Sequence, residues 1–352
     1  MEGNSIIYNR GISESIDSIV DKDGKFNFGT YNKAIPNINM ISAHNPLGYK
    51  APKWFNNMRL KEWEAFQMGN EEFFVFGAIY TAKISAIIVL EIYNKISKEI
   101  ISIYKFASPS KINIGDGMLN SITSYETKDF NIKIHNNLEN NEIYIRANLA
   151  ETKRNPKINL DITAYHINEP IVTCMPLGEN RAIYSHKSLM PMEGSLFIDN
   201  YKAQFKKENS NLIVDDHKGY YPYKLKYDWV TAWGKDISGN TIGFNLTDNQ
   251  VIDKENYNEN CVWINDKMFP LPPIKVERNY GKKEIWHIKD KYNTIDLHFY
   301  PERKSKLKIN ALIICCDYEA PMGRFEGYIK VEDRKIELKK FFGMGEKKYY
   351  RM

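Results

Sequence analysis

Tyr221-Pro222-Tyr223-Lys224-Leu225-Lys226-Tyr227-Asp228-Trp229-Val230-Thr231-Ala232-Trp233 alternates large or apolar residues with mostly polar ones, and a turn then leads into Thr241-Ile242-Gly243-Phe244-Asn245-Leu246. Tyr221, Tyr223, Leu225, Tyr227, Trp229 and Trp233 share one parity, with Thr231 between the tryptophans, while Pro222, Lys224, Lys226 and Asp228 share the other. In a β-strand those parities are opposite faces of a sheet. One face is therefore an aromatic wall carrying hydroxyls and indole N–H groups, suited to a core or to the lining of an apolar ligand cavity. The intervening Gly234-Lys235-Asp236-Ile237-Ser238-Gly239-Asn240 has the composition of a phosphate loop, but it lacks the Gly-Lys-Ser/Thr ending and a following helix. It reads as a hairpin turn.

Outward from this stretch the same period recurs. Phe130, Ile132 and Ile134, then Ile143, Ile145, Ala147 and Leu149, then Ile158, Leu160, Ile162 and Ala164 alternate strictly, joined by short polar turns. Phe73 to Glu91 is apolar enough for two buried strands parted near Thr81 to Ser85, and Ile100 to Phe106 continues the series. After Pro170 strands are expected at Ser195–Phe205, Tyr221–Trp233, Thr241–Leu246, Cys261–Ile264, Ile285–Ile288, Ile295–Tyr300, Leu307–Cys315, Arg324–Val331 and Ile336–Phe341. No amphipathic helix interrupts either series. The expected fold is all-β, two lipocalin-like antiparallel barrels or curved half-barrels packed together. Residues 1–70 read as an irregular lead-in packing on the barrels, 71–170 as the first barrel and 171–352 as the second, with the boundary near Glu169-Pro170.

Composition narrows the function classes. The 49 Lys and Arg are interspersed with 44 Asp and Glu for a net charge of +5, so no basic groove for nucleic acid is expected. Lys339, Lys340, Lys347, Lys348 and Arg351 form a basic run that reads as a solvated edge. The four cysteines, Cys174, Cys261, Cys315 and Cys316, fit neither a disulfide framework nor a zinc ribbon, and a buried strand thiol is the default for the adjacent pair. No secretory signal opens the chain, and the longest apolar run, near Ala86 to Ile92, is far too short for a membrane helix. A cytoplasmic protein without a metal, a cofactor or an integral membrane segment is the expectation. Oligomeric state stays open.

Several ordered motifs carry a family resemblance. They are His186-Lys187 followed by Gly194; Gly219-Tyr220-Tyr221-Pro222-Tyr223; Trp229 through Trp233-Gly234; Gly243-Phe244-Asn245-Leu246; and Glu259-Asn260. Asp296-Leu297-His298-Phe299-Tyr300-Pro301, Gly323-Arg324-Phe325-Glu326-Gly327 and Gly343-Met344-Gly345-Glu346 continue the series, and His44-Asn45-Pro46 and Arg59-Leu60-Lys61-Glu62-Trp63-Glu64 extend it towards the N-terminus. With these the chain resembles the bacterial domain of unknown function family 2804. That family is distantly similar to two-barrel lipocalin-like, or calycin, proteins such as carotenoid hydratases, tocopherol cyclase and fungal Diels-Alderases. The resemblance implies a barrel that binds apolar molecules, and in the relatives adds water or closes rings without redox cofactors. Thr247-Asp248-Asn249-Gln250 stands where other members tend to carry a Gly- and Trp-containing stretch.

The candidate residues follow. Glu259, a carboxyl near aromatic residues, could act as a general acid with Asn245 and Asn260 orienting substrate or water; alternatively it pairs with a cation while Asn245, Asp248 and Asn249 satisfy a turn. His186 is the second catalytic candidate, set against a structural histidine. Tyr223, Tyr227, Trp229, Trp233 and Trp263 complete the ligand-binding set with Asn245 and Asn260. Asp296 and His298 share a face and could form an oriented imidazole, with a solvated strand face as the plainer reading. His166 shares parity with Ile158 to Ala164 and reads as a satisfied histidine at a strand end. The leading function is binding of an apolar or amphipathic small molecule (lipid, terpenoid or polyketide-like) in a barrel cavity. The alternatives are a cofactor-free hydratase, cyclase or isomerase, and a structural or interaction protein with side-chain-filled barrels.

Overall fold

The alternation at Ile158–Ala164 faces a core in a computed structural model that describes residues 8–281, 283–311 and 314–351. Its strands divide between two compact units: residues 14–174 with 178–220, and residues 221–352 with 1–13 and 175–177.

The first unit holds β1 (Gly29–Tyr31), helix α1 (Lys53–Arg59), β2 (Lys61–Gly69), β3 (Phe73–Thr81), β4 (Ala86–Asn94), β5 (Ile100–Ala107), β6 (Ile112–Asn113) and β7 (Ser121–Glu126). It continues with β8 (Phe130–Asn137), β9 (Glu142–Leu149), β10 (Ile158–Tyr165), β11 (Ile171–Gly178, of which residues 175–177 count with the second unit), β12 (Arg181–Ile198), β13 (Tyr201–Phe205) and β14 (Asn211–Gly219). The sheet order is β5-β4-β3-β2-β14-β12-β10-β9-β8-β7-β6. Even-numbered residues of β2, β4, β8, β10, β12 and β14 and odd-numbered residues of β3 and β9 meet in one core, including Phe66, Val75, Ile88, Ile145, Ile162, Met190 and Val214. That core occupies only part of the interior. Along β2, β12 and β14 the inward parity turns from Phe66, Met190 and Leu212 to Glu64 and Glu62, His186 and Tyr184, and Asp216 and Lys218.

The second unit holds β15 (Lys224–Lys235), β16 (Thr241–Asp248), β17 (Cys261–Ile264), β18 (Lys267–Pro270), β19 (Ile274–Tyr280), β20 (Glu284–Asp290), β21 (Ile295–Ala311), β22 (Ile314–Val331) and β23 (Arg334–Arg351), in the order β18-β17-β16-β15-β23-β22-β21-β20-β19. Aromatic side chains fill its core. Phe299 stacks on Phe325 at 4.3 Å, and Phe244 and Trp286 meet that pair edge-on at 5.2 Å and 5.4 Å.

Four expectations are corrected. The lead-in is not irregular throughout, because Lys61–Gly69 is an internal strand between β14 and β3. The boundary near Glu169-Pro170 moves to Tyr220/Tyr221, since β12 pairs with β10 and β14 with β2, tying residues 181–219 to the first unit. Leu307–Cys315 is not one strand, for Ala311 pairs back onto Ile314; residues 312 and 313 lie outside the described residues. The aromatic wall does not face the barrel core. Val230 and Ala232 point into it with Ile242, Phe244 and Leu246, whereas Trp229, Thr231 and Trp233 lie on the reverse face. Large rings from the neighbouring strands, Phe244, Trp286, Phe299, Phe325 and Phe341, already fill that core, and β15 contributes the small Val230 and Ala232 to it.

Candidate functional site

His186 is directly opposite Asp216 across β12 and β14, and Asp216 is directly opposite Glu64 across β14 and β2. Opposed residues carry their Cβ atoms about 4.5–5.5 Å apart, so imidazole and two carboxyls form one rung inside the first unit. The adjacent rung is Tyr184, Lys218 and Glu62. His186, Tyr184, Asp216 and Glu64 are each at most 1 % exposed. Both ring nitrogens of His186, the Tyr184 hydroxyl, both Asp216 oxygens and Glu64 Oε1 lack hydrogen-bond partners. A cluster of buried polar atoms without partners costs roughly 1–3 kcal/mol for each group, and native interiors tolerate few of them.

The cluster sets its own proton inventory. Burial first, and Asp216 beside it second, push the Glu64 carboxyl up to about 8, although hydrogen bonds from Thr123 and Asn136 and the charge of Lys218 pull the other way. Burial also raises Asp216, against the opposing charges of Lys218 and His217. The His186 imidazole is driven down to about 3 by burial, with His166 and Lys187 adding to the effect. Tyr184 is held well above the usual phenol range by burial and by Asp216 and Glu64. At neutral pH the two rungs therefore present a carboxylic acid, a neutral imidazole and a phenol, all buried.

Lys218 supplies the nearby positive charge. Its Nζ donates to the Gly115 carbonyl at 2.6 Å and lies 3.6 Å from Asp216 and 3.9 Å from Glu62. Burial lowers its affinity for a proton, but Asp216, Glu62, Glu64 and Asp116 outweigh that and raise it. Lys218 and Glu62 also line a cleft of about 380 Å³, together with Met40, Ile41, Leu60, Ile112, Ile114 and Asp116 among others. The cleft thus ends on the rung that precedes the buried acids. His166 lies further along the same interior, its Nδ1 3.2 Å from Ser188 Oγ, and burial lowers it to about 4.

The other sequence-derived candidates gather in the second unit. The Trp229 indole donates to Asn245 Oδ1 at 2.6 Å, Asn245 Nδ2 donates to the Glu259 carbonyl at 2.8 Å, and Thr247 Oγ1 donates to Glu259 Oε1 at 2.6 Å. Asn260 accepts from the Thr247 amide at 2.7 Å and donates to the Pro272 carbonyl at 2.8 Å. Arg10 donates to the Asn258 side chain and to the Asn260 carbonyl. Trp229, Asn245, Glu259 and Asn260 are brought together, all buried, and neither the 380 Å³ cleft nor a groove of about 400 Å³ beside Glu326 and Leu338 touches them. Asn245 faces neither water nor a described cavity. Trp233 and Trp263 are buried on the same reverse face, Tyr227 is half-buried with its hydroxyl on Glu346, and Tyr223 is exposed and precedes β15. His186 belongs to the first unit, inside β12 rather than at the start of a strand.

Of the residues in this cluster the sequence singled out His186 alone, and not Glu64, Asp216, Tyr184 or Lys218. The available signal was the run of charged residues at one end of each strand, Lys61, Glu62 and Glu64 before Phe66, and Asp215, Asp216 and Lys218 after Val214.

The chain is nearly all-β, with one nearly closed barrel-like sheet and one half-barrel sheet, a fold consistent with that of lipocalin-like two-barrel proteins. The chain belongs to the family described as Domain of unknown function (DUF2804), whose pattern matches residues 10–352. In fold it is similar to the crystal structure of CghA with Sch210972, with a TM-score of 0.53 and 8% identity, covering 83% of this chain and 88% of that one. It is also similar to kievitone hydratase from Nectria haematococca, with a TM-score of 0.51 and 15% identity over 82% of this chain and 88% of that one. No curated protein sequence matches it. No helix among the described residues is long and apolar enough to cross a membrane.

Proposed function

We propose that the first unit binds an apolar or amphipathic small molecule in the cleft bounded by Glu62 and Lys218, and transfers protons to and from it with Glu64, Asp216 and His186. The carrying observation is the rung of buried carboxyl, carboxyl and imidazole, with Tyr184 beside it, in which both imidazole nitrogens, the phenol oxygen and three of the four carboxyl oxygens lack hydrogen-bond partners. Glu64, raised to about 8, is protonated at neutral pH and suits protonation of a carbonyl or an alkene. A neutral His186 and a protonated Tyr184 can orient the polar end of the molecule or an attacking water. Apolar residues at the cleft wall supply affinity while a few polar groups supply orientation. Hydration, dehydration or isomerisation is the reaction class, and the fold neighbour that is a hydratase is compatible with it.

We further assign Glu259, Asn245, Asn260 and Trp229 a structural role. Their hydrogen bonds to one another and to backbone fix the reverse face of β15 to β17, and the interior behind them is filled by aromatic side chains. The filled-barrel reading is thus kept for the second unit alone.

The test is native mass spectrometry of protein purified from its own host, followed by incubation of the co-purified molecule in deuterated water. Ile114→Trp, which fills the cleft, should abolish co-purification, and Trp229→Phe should not. Glu64→Gln and Asp216→Asn should keep the molecule bound but stop deuterium entering it. Retention insensitive to Ile114→Trp, or deuterium entry unchanged in both acid variants, would remove the proposal.

A further inference from the structure

The outer face of the second unit carries a group of side chains with no part in the reading above. His287 on β20 is directly opposite His298 on β21, and Asp296 precedes His298 by two residues on the same face. Leu297, Phe299, Trp286 and Ile288 claim the inner face and are fully buried, so period two sends the two histidines and the aspartate outward together. One ligand atom from each lies within 4.8 Å of the other two. His287 Nε2 is 2.7 Å from Asp296 Oδ1, and the two imidazoles stack at 4.6 Å with 9° between their planes. The His287 and Asp296 side chains are 34 % and 43 % exposed, which leaves an approach from solvent. The same cross-strand row continues to Glu277 on β19, opposite His287, and to Glu326 on β22, opposite His298.

We propose that His287, His298 and Asp296 form a binding site for a divalent transition-metal cation of the zinc class. Two imidazole nitrogens and one carboxylate oxygen are the donor set that Zn²⁺ and its neighbours in the first row accept, with bonds of about 2.0–2.2 Å. Such bonds put tetrahedral ligand atoms about 3.3 Å apart, so the group closes onto an ion by side-chain rotation without moving the strands. The neutral imidazole is the form in which a histidine binds a metal ion. The ion replaces the His287–Asp296 hydrogen bond: the His287 proton moves from Nε2 to Nδ1, so the ring stays neutral while Nε2 and the carboxylate become ligands. Three protein ligands leave a fourth position for water. Glu326 and Glu277 add negative charge along the row, although Glu277 is partly engaged by Lys289 Nζ at 2.9 Å.

The site is tested on the full chain stripped with a chelator and titrated with Zn²⁺ alone against a chromophoric indicator. One ion per chain is expected. His298→Gln and His287→Gln should each weaken binding by at least the roughly 10–100-fold that loss of even an outer-shell partner costs, and His44→Gln, at an exposed histidine elsewhere, should not. The substituted residues face outward, and unchanged melting without metal verifies folding. Should a variant fail to fold, the Co²⁺-loaded wild type decides by NMR, with two paramagnetically shifted imidazole N–H signals expected. Absence of stoichiometric binding, equal affinity in the His298 and His287 variants, an equal loss in His44→Gln, or a Co²⁺ form without those signals overturns the site.

Discussion

Glu64→Gln should remove the pH dependence of stability that a buried carboxyl imposes. Glu64 is fully buried, and its carboxyl is raised from the ordinary 4.5 to about 8. The folded state therefore holds this proton where the unfolded chain has released it, so the stabilising contribution is complete below pH 4.5 and is lost as pH rises towards 8. At roughly 1.36 kcal/mol for each pH unit, the interval from 4.5 to about 8 is worth about 5 kcal/mol. Coupling to Asp216 and water entry will reduce this, and about 3–5 kcal/mol is the expected range. Glutamine has the same shape and no proton to lose. It adds an amide whose partners do not change with pH, hence a constant offset. Urea unfolding at intervals between pH 5 and pH 9 should give a wild-type stability falling relative to Glu64→Gln by that amount. Parallel profiles would refute a proton held on Glu64.

Four further outcomes can be checked. His186 has the opposite sign: driven down to about 3, it contributes stability above pH 6.5 that is lost as pH falls towards 3, so His186→Gln should flatten acid unfolding over that window. The same residue should stay neutral at pH 5 by NMR of the ring nitrogens, and an imidazolium there would contradict the burial argument. Trp229→Phe should cost about 1–3 kcal/mol in urea unfolding by stranding Asn245 Oδ1, and Trp229→Ala about 3–5 kcal/mol, with no effect on ligand retention. Gly194→Ala should destabilise by about 2–3 kcal/mol or prevent folding, because φ is +141° and a Cβ would sit 2.1 Å from the Asp161 carbonyl oxygen; a silent substitution would mean that β10 and β12 do not approach as described.

Period two was readable wherever one face of a strand is apolar and the other wet. Ile158–Ala164 and Ile143–Leu149 are of this kind, and each forms the strand expected of it. It failed where both faces are buried. Lys61–Gly69 and Asn211–Gly219 have almost no exposed residue, and both carry charges inward at one end, so neither shows the alternation of an ordinary strand. Those same inward charges are the candidate site, which is why the strands hardest to recognise are the ones that build it. The domain boundary was hidden for a related reason, since β2 and β14 pair across most of the first unit and no local pattern encodes that contact. His186 was legible as a lone histidine, whereas its rung partners come from strands that only the register brings beside it. The aromatic wall at Trp229 and Trp233 was legible as a buried face, but which face of β15 meets the core of Phe244, Phe299 and Phe325 depends on contacts distant in sequence.

Whether the interior of the first unit holds a carboxylic acid at neutral pH is the question on which the proposed chemistry turns. Infrared difference spectroscopy at pH 7 between wild type and Glu64→Gln, repeated with Asp216→Asn, reads it directly. The account predicts a protonated carboxyl band in the wild type, desolvated in position and lost in Glu64→Gln. Only carboxylate bands in both differences would contradict it, leaving this end of the barrel without the acid that proton transfer requires.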